Sequence, residues 1–231
     1  MSLPALVSLP ATLLPIAQRA EQSLAQAFAS LSAQAAAQFA AWPAQRREHL
    51  QRVTAASDFV TQQGLRDPQM LLDLAASGEL ERRLGAGELR EQLAEQLREC
   101  ADENALARSL RRFRNRQQVR IVWRDISRQA DLVETCRDLS DLADACIDLA
   151  YHWLYPRQCE LCGTPVGRRS GEPQHMVILG MGKLGAFELN LSSDIDLIFG
   201  YPEGGETQGV KRPLDNQEFF IRLGQKLIKA L

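Results

Sequence analysis

Glycine and proline are distributed very unevenly along this chain. Eleven of the fifteen glycines follow residue 160, whereas the stretch from Glu88 to Tyr155 contains neither glycine nor proline. That stretch is rich in Leu, Ala, Arg, Glu and Gln, all of which favour helices, while clustered glycines indicate turns between short elements. We therefore predict a helical domain over residues 1–160 and a second domain with turns and strands over residues 161–231.

Composition excludes several broad classes of protein. The 231 residues carry a net charge of only -2, so no whole-chain field attracts nucleic acid or an anionic membrane. The apolar stretch Leu3–Ala17 has no Lys or Arg ahead of it and is interrupted by three prolines, which fits neither a secretory signal nor a membrane helix. We predict a cytoplasmic protein. Its five cysteines, an odd number, are then expected to be free thiols.

Two neighbouring segments have opposite charge. Arg108–Arg128 contains eight arginines and one acid, and the next segment, Leu132–Trp153, has the apolar spacing of a helix with acidic residues on another face. One interpretation makes the arginines a surface for nucleic acid or phosphate. We favour the other, a solvated helix face that the adjacent acidic helix partly neutralises.

A Cys-x-x-Cys pair, Cys159 and Cys162, resembles half of a zinc knuckle. Zinc needs four ligands, and the sequence has no second such pair and only three scattered histidines. The pair lies in what we predict to be a linker rather than at the start of a helix after a strand, which disfavours a redox motif. We interpret the two thiols as structural or incidental.

The residues that point to chemistry lie between 175 and 200. His175–Gly180 is a short apolar run that predicts a buried strand, and it leads directly into closely spaced glycines, Gly180, Gly182 and Gly185. Such a turn lets backbone N–H groups approach a phosphate, and the ammonium group of Lys183 would assist.

A pair of aspartates follows the glycines. We predict a short helix after the turn and a second strand over Ser192–Phe199. Because Asp194 and Asp196 are two residues apart, both carboxylates project from one face of that strand. Two carboxylates so close repel each other unless a cation lies between them.

Three interpretations compete for this region. The glycines match the dinucleotide-binding fingerprint, but the expected helix is too short and the aspartates follow Gly185 too closely, which disfavours a nicotinamide or flavin site. The second interpretation is a purely structural turn in which the aspartates cap a loop. It would suffice for an Asp-x-Asp alone, but it does not explain why a strand, a glycine turn, a short helix and the paired aspartates occur together. The third is a nucleotidyltransferase site.

The third interpretation is supported by a resemblance. A glycine turn followed after about a dozen residues by Asp-hydrophobic-Asp resembles the DNA-polymerase-β-type nucleotidyltransferases, and eleven residues separate Gly182 from Asp194 here. Residues 179–199, LGMGKLGAFELNLSSDIDLIF, resemble more specifically the bacterial glutamine synthetase adenylyltransferase/adenylyl-removing enzymes. The similarity continues through residues 207–209, 214–216 and 224–231. It implies an α+β, predominantly helical fold, in which a long N-terminal helical region precedes the beginning of a polymerase-β-like sheet and a C-terminal helix.

The resemblance implies specific roles. Asp194 and Asp196 would hold Mg²⁺ or Mn²⁺. Phosphate and nucleotide (ADP or ATP) contacts would come from five further residues: Gly180, Gly182, Lys183, Ser192 and Ser193. The partners would be adenylylated glutamine synthetase and the PII nitrogen-regulatory protein, with no nucleic acid or membrane. A Gly-Lys pair stands where many members of the superfamily have Gly-Ser, which leaves the phosphate contact less well defined than the metal site.

Which half of the two-domain enzyme the chain resembles is a finer question. The residues of the motif, and its position near the first methionine, resemble those of the first, adenylyl-removing domain. That domain phosphorolyses adenylyl-tyrosine to give ADP. The alternatives are the ATP-dependent attaching domain and a non-catalytic regulatory module with a vestigial site. We predict no strand after Phe199 long enough to carry the superfamily's third carboxylate, since Asp215 and Glu218 fit a helix N-cap. We therefore expect an incomplete, inactive piece of the enzyme.

Overall fold

A computed structural model describes residues 9–231 of the chain. Within that range the helices are α1 (Leu14–Leu31), α2 (Ala33–Ala40), α3 (Ala44–Ala56), α4 (Asp58–Arg66), α5 (Pro68–Ala76), α6 (Glu88–Leu97), α7 (Glu103–Ile126), α8 (Leu132–Cys162), α9 (Gly182–Gly185) and α10 (Asn216–Ala230). The strands are β1 (Thr164–Gly167), β2 (Val177–Gly180), β3 (Leu197–Gly200) and β4 (Gly205–Gln208). The predicted class, α+β and predominantly helical, is confirmed.

The residues group into two compact units. The first contains residues 9–86 and 114–139, and the second contains residues 87–113 and 140–231. The long helices α7 and α8 each contribute residues to both units. The predicted domains, 1–160 and 161–231, stay a prediction, because a compact unit need not coincide with a domain.

The core of the first unit is built around aromatic side chains. Phe28, Phe39 and Trp42 pack against one another, and Trp42 meets Trp123 of α7 edge-on with ring centroids 6.3 Å apart. Trp123 is fully buried. These rings belong to one buried apolar cluster that includes residues of α1 to α5 and of α7.

Local sequence signals explain most helix boundaries in this unit. The Ala/Gln-rich run from about Ile16 to Ala41 predicts one helix. Ser32 divides it in two, because its hydroxyl accepts a hydrogen bond from the Ala35 amide and caps α2. Pro68 is the first residue of α5, a position that proline favours, with Asp67 as the cap of that helix. The first half of the apolar stretch Leu3–Ala17 lies outside the described residues, and Leu14 begins α1.

The arginines of α7 are not a uniformly solvated face, so that part of the prediction is wrong. Arg108, Arg111, Arg112 and Arg128 are exposed, but Arg120 and Arg124 are buried. Arg120 donates to the Asp138 carboxylate at 2.6 Å, and Arg124 donates to Glu134 at 2.7 Å. The predicted neutralisation by the acidic helix is confirmed for these two residues. They are buried because α7 and α8 pack together, which a charge count cannot reveal.

The second unit contains two small antiparallel sheets. β1 pairs with β4, and β2 pairs with β3 in the register Val177↔Gly200 to Gly180↔Leu197. The strand β4, which includes Glu206, was not predicted, because its glycine-rich sequence indicates a turn. Asp215 caps α10 by accepting from the Gln217 amide, as predicted, while Glu218 pairs with Arg222 rather than completing the cap.

The Cys-x-x-Cys pair lies in the last turns of α8, so its placement in a linker is wrong. Pro156 does not end the helix, which continues to Cys162 and is closed by left-handed Gly163. Burial raises the pKa of the Cys159 thiol, which disfavours the reactive thiolate of a redox motif. The five cysteines are free thiols. No helix in the described range 9–231 has both the length and the hydrophobicity needed to cross a membrane.

Candidate metal and phosphate site

The glycine turn follows β2 directly, as predicted. Gly182 has a φ of +54°, a left-handed conformation that favours glycine, and it begins the single-turn helix α9. Gly185 ends that turn against the strand, since a Cβ added there would lie 2.5 Å from the Gly180 carbonyl oxygen. The chain therefore reverses tightly, and glycine is required at both positions for different reasons.

The helix after the turn is shorter than predicted. The first residues that stop a helix after the turn are Asn190, Ser192 and Ser193, which predict a helix of two turns, but α9 ends at Gly185. Phe187 then adopts a left-handed conformation, with a φ of +57°, which no continuing α-helix allows. Residues 186–196 consequently form an irregular loop, fixed by the buried side chain of Leu189.

Asp194 and Asp196 lie just before β3 rather than within it. The predicted strand over Ser192–Phe199 is shortened to Leu197–Gly200, although the Met181 amide donates to the Asp196 carbonyl at 2.9 Å and so continues the pairing by one residue. Exposure alternates from Asp194 to Leu197, with both aspartates exposed, as predicted from their spacing. Ile198, two residues further along, is exposed as well.

The two carboxylates lack partners in the part of the chain that the structure describes. Over residues 9–231, no side-chain hydrogen bond or ion pair joins Asp194 or Asp196 to another residue. Carboxylate oxygens are ligands that Mg²⁺ and Mn²⁺ prefer, and Mg²⁺ commonly takes one or two of them together with substrate phosphates. The pair therefore suits a divalent cation bound jointly with a phosphorylated substrate.

Lys183 and both serines belong to one hydrogen-bonded group. The Lys183 ammonium donates to the Ser193 hydroxyl at 3.3 Å, and Ser193 donates to the Asn190 side-chain oxygen at 2.5 Å. Ser192 lies 3.5 Å from the same oxygen. Sequence reasoning missed Asn190. The signal was available, because Asn followed by two serines in a predicted loop favours side-chain turns of this kind.

An apolar surface adjoins the aspartates. The strand register places Leu179 opposite Ile198 on the face that Asp196 shares, and these side chains are about half exposed, as is Val177. Phe187 and Leu191 of the loop are also exposed apolar side chains. Apolar side chains gathered around polar groups are typical of surfaces that bind a ligand or a partner.

A cavity of about 320 Å³ lies against the opposite face of the same sheet. Ile178, Gly180 and Leu197 line it from the sheet, and Asp144 and Asp148 line it from α8. Asp148 is already paired with Arg90 at 2.6 Å. Of the predicted site residues only Gly180 lines this cavity. The cavity is therefore separate from the aspartate pair.

Helix α8 holds the segment that contains the glycine turn. The Met176 amide, just before β2, donates to the Tyr151 hydroxyl at 3.2 Å, and that hydroxyl also lies 3.2 Å from Nδ1 of His175. After the turn, the Leu189 amide donates to the Ser140 hydroxyl at 3.4 Å. Neither Tyr151 nor Ser140 was predicted, because each precedes the residue that it contacts by many positions, 25 for Tyr151 and 49 for Ser140. No local pattern in the sequence links residues so far apart.

The geometry excludes the dinucleotide-binding interpretation. That fold joins two parallel strands through a full crossover helix, whereas β2 and β3 are antiparallel and the helix between them has one turn. The structure instead contains a glycine turn, a short loop and a pair of carboxylates beside the turn. Within residues 9–231 no three His, Cys, Asp or Glu side chains converge in a way that could hold a metal.

Comparison with known proteins identifies the family. Residues 47–231 match the family model described as glutamate-ammonia ligase adenylyltransferase. The bifunctional glutamine synthetase adenylyltransferase/adenylyl-removing enzyme of Pseudomonas aeruginosa is 69% identical over the whole chain, and that of Pseudomonas syringae pv. tomato is 68% identical. The enzyme of the same name from Vibrio parahaemolyticus is 44% identical over 97% of the chain.

The chain spans about a quarter of the length of these relatives, 24% of the two Pseudomonas proteins and 22% of the Vibrio protein. The family model's match, residues 47–231, includes helices α4 to α10 as well as the glycine turn and the aspartate pair. The chain belongs to the glutamate-ammonia ligase adenylyltransferase family.

Proposed function

We propose that this chain contributes the metal- and phosphate-binding part of an adenylyl-removing nucleotidyltransferase that acts on glutamine synthetase. The proposed reaction is phosphorolysis. An oxygen of inorganic phosphate attacks the phosphorus of adenylyl-tyrosine, the bond to the tyrosine oxygen breaks, and the products are ADP and a tyrosine that regains its proton.

The observation that carries the proposal is the pair of exposed carboxylates beside the glycine turn, which have no side-chain partner among residues 9–231. Asp194 and Asp196 lie on one face, within a loop whose other polar groups, Lys183 and Ser193, suit phosphate oxygens. Among residues 9–231 no ion pair compensates these two carboxylates, and they repel each other. A divalent cation and a phosphorylated substrate would together balance the charges.

Each group has a defined task in this reaction. A bound Mg²⁺ or Mn²⁺ supplies the positive charge that orients the phosphates and stabilises the departing tyrosinate, whose phenol has a pKa of about 10. Asp194 and Asp196 would fix the cation to one side of the turn. Lys183, Ser192 and Ser193 would bind phosphate oxygens, while Gly180 and Gly182 allow a close approach of the backbone.

A protein substrate suits the surface around the aspartates. The exposed side chains of Leu179, Ile198 and Phe187 offer apolar contact for a tyrosine-bearing loop and its adenylyl ring. The names of the relatives specify glutamine synthetase. We extend that substrate to this chain, together with PII as a regulatory partner and a cytoplasmic location.

The test uses the full-length Pseudomonas aeruginosa relative, with both equivalents of Asp194 and Asp196 changed to Asn. Removal and attachment of AMP are measured separately on glutamine synthetase. We expect removal to fall by a factor of about 10² or more, because losing the charge that holds a catalytic cation removes several kcal/mol of stabilisation. Attachment should be retained. The equivalent of Glu188→Gln, an exposed carboxylate in the same loop, is the matched control.

Other outcomes of this experiment would identify the alternatives. Loss of attachment with removal retained would assign the site to the ATP-dependent activity. Retention of both activities would indicate a non-catalytic docking module.

The chain alone is expected to be inactive. The superfamily uses three carboxylates, and within residues 9–231 no third one joins the aspartate pair. An assay of the 231-residue chain with adenylylated glutamine synthetase and phosphate should therefore release no ADP above background, and robust release would contradict this expectation.

A further inference from the structure

The residues that bracket the glycine turn are held by a single helix. Tyr151, on α8, accepts a hydrogen bond from the Met176 amide at 3.2 Å, one residue before β2 begins. Both residues are buried, with 8% and 7% of their surfaces exposed. A buried backbone amide needs an acceptor, and here a side chain supplies it.

The strand β2 depends on this contact more than an ordinary strand would. It is four residues long, it pairs with only one other short strand, and one of its faces is largely exposed. A two-stranded sheet of this size is marginally stable by itself. The position of β2 in turn sets the position of the Asp196 backbone, because the Met181 amide donates to the Asp196 carbonyl.

We propose that Tyr151 is a positioning residue for the candidate site: its hydroxyl fixes the start of β2 and so the placement of the glycine turn beside Asp194 and Asp196. This inference rests on the proposed function, since the placement matters for catalysis only if the aspartates bind a cation. Tyr151 touches neither carboxylate. It acts through Met176, β2 and the Met181–Asp196 hydrogen bond.

A second tyrosine provides a matched comparison. Tyr155, one helical turn later, donates to the Gln174 carbonyl at 2.8 Å. Gln174 is held independently, because its amide donates to the Pro165 carbonyl at 2.8 Å and its side chain donates to the Glu172 carbonyl at 3.0 Å. Loss of the Tyr155 hydroxyl should therefore leave β2 in place, whereas loss of the Tyr151 hydroxyl leaves a buried amide without this acceptor.

The test compares Tyr151→Phe with Tyr155→Phe in the 231-residue chain. Both substitutions keep the aromatic ring, and circular dichroism checks that both variants fold. Hydrogen exchange followed by mass spectrometry should show amides of residues 176–189 exchanging about tenfold faster in Tyr151→Phe, which corresponds to an unsatisfied buried donor. Exchange in α10 should not change. In Tyr155→Phe the same segment should exchange at the wild-type rate.

A second readout links the position of β2 to the site. Mn²⁺, added alone and followed by electron paramagnetic resonance, should bind Tyr151→Phe at least about threefold more weakly than the wild type and bind Tyr155→Phe equally well. If the wild type binds no Mn²⁺, the proposed metal site fails, while the exchange data still decide whether Tyr151 positions the turn.

Further outcomes would overturn the inference. Exchange that is unchanged in Tyr151→Phe, or faster throughout the chain in both tyrosine variants, would show that the hydroxyl has no specific effect on β2. Weaker Mn²⁺ binding with unchanged exchange would also contradict it. If Tyr151→Phe fails to fold, Ser140→Ala provides a second test, because it removes the acceptor of the Leu189 amide at the other end of the segment. In Ser140→Ala, the amides of loop residues 186–191 should exchange faster than in the wild type. An unchanged exchange rate there would contradict the role of α8 in holding residues 176–189.

Discussion

Charged side chains have opposite environments in the two units of this protein. In the first unit, the guanidinium of Arg120 is completely buried and donates to Asp138 at 2.6 Å. In the second, Asp194 and Asp196 are exposed and have no hydrogen-bonded or ionic partner in the part of the chain that the structure describes. The carboxylate of Asp138 is thus neutralised by another residue of the protein, whereas those of Asp194 and Asp196 are not neutralised by any residue in the range 9–231.

The difference separates structural charges from those available to a ligand. A buried charge without a partner costs several kcal/mol, so Arg120 and Asp138 must remain paired for the first unit to fold. An exposed carboxylate is solvated by water and costs little, so the aspartates can stay unpaired until a cation arrives. The contrast predicts that substitutions in the first pair affect stability, whereas substitutions in the second affect binding.

Arg120→Met should give the largest change in stability. It leaves the Asp138 carboxylate buried without its partner, and we expect the free energy of unfolding to fall by about 3–5 kcal/mol. Urea denaturation measures this change. Arg222→Met removes an exposed ion pair on α10 and serves as the control, with an expected effect below about 0.5 kcal/mol. If Arg120→Met lowers the free energy of unfolding by less than about 1 kcal/mol, the proposed difference between the buried ion pair and the exposed aspartates is contradicted.

Gly185→Ala should have a smaller effect, confined to the turn. The new Cβ would lie 2.5 Å from the Gly180 carbonyl oxygen, so the backbone must shift, at an expected cost of about 1–3 kcal/mol. Gly204→Ala is the matched control, because a Cβ there meets no atom within 4 Å. Equal thermal stability of the two variants would show that the close approach at Gly185 is unimportant.

Phe187→Asn should increase stability slightly. An L-residue in the left-handed region costs about 1–2 kcal/mol, and asparagine tolerates that region better than a bulky aromatic residue does. We expect a gain of up to about 1 kcal/mol in thermal unfolding experiments, reduced by the lost apolar contact. Leu191→Asn, in the same loop and also exposed, should give no gain. A destabilised Phe187→Asn would mean that the aromatic ring makes a stabilising contact.

Local signals in the sequence accounted for much of this structure. The Asp215 cap of α10 and the glycine turn after β2 each depend on a few neighbouring residues, and both were predicted. The burial of Arg120 and Arg124 depends on the packing of α7 against α8, which no local pattern specifies. The same limit applies to the Tyr151–Met176 hydrogen bond, which joins residues 25 positions apart.

The candidate site contains, within a few residues, one feature that was predicted from the sequence and one that was not. The alternating exposure of Asp194 and Asp196 follows from their spacing, and it was predicted. The length of α9 was not, because the left-handed backbone at Phe187 interrupts a sequence that otherwise favours a helix. A tertiary constraint on the turn overrides the local propensity there.

The most direct test of the proposed site is a titration of the 231-residue chain with Mn²⁺, followed by electron paramagnetic resonance and by thermal unfolding. The wild type should bind the ion saturably and unfold at a higher temperature in its presence, because a ligand that binds only the folded state stabilises it. Asp194→Asn with Asp196→Asn should abolish both effects and leave the metal-free stability unchanged within about 0.5 kcal/mol, while Glu188→Gln should behave like the wild type. Equal Mn²⁺ binding by the wild type and the double variant would contradict the assignment of the two aspartates as the metal site.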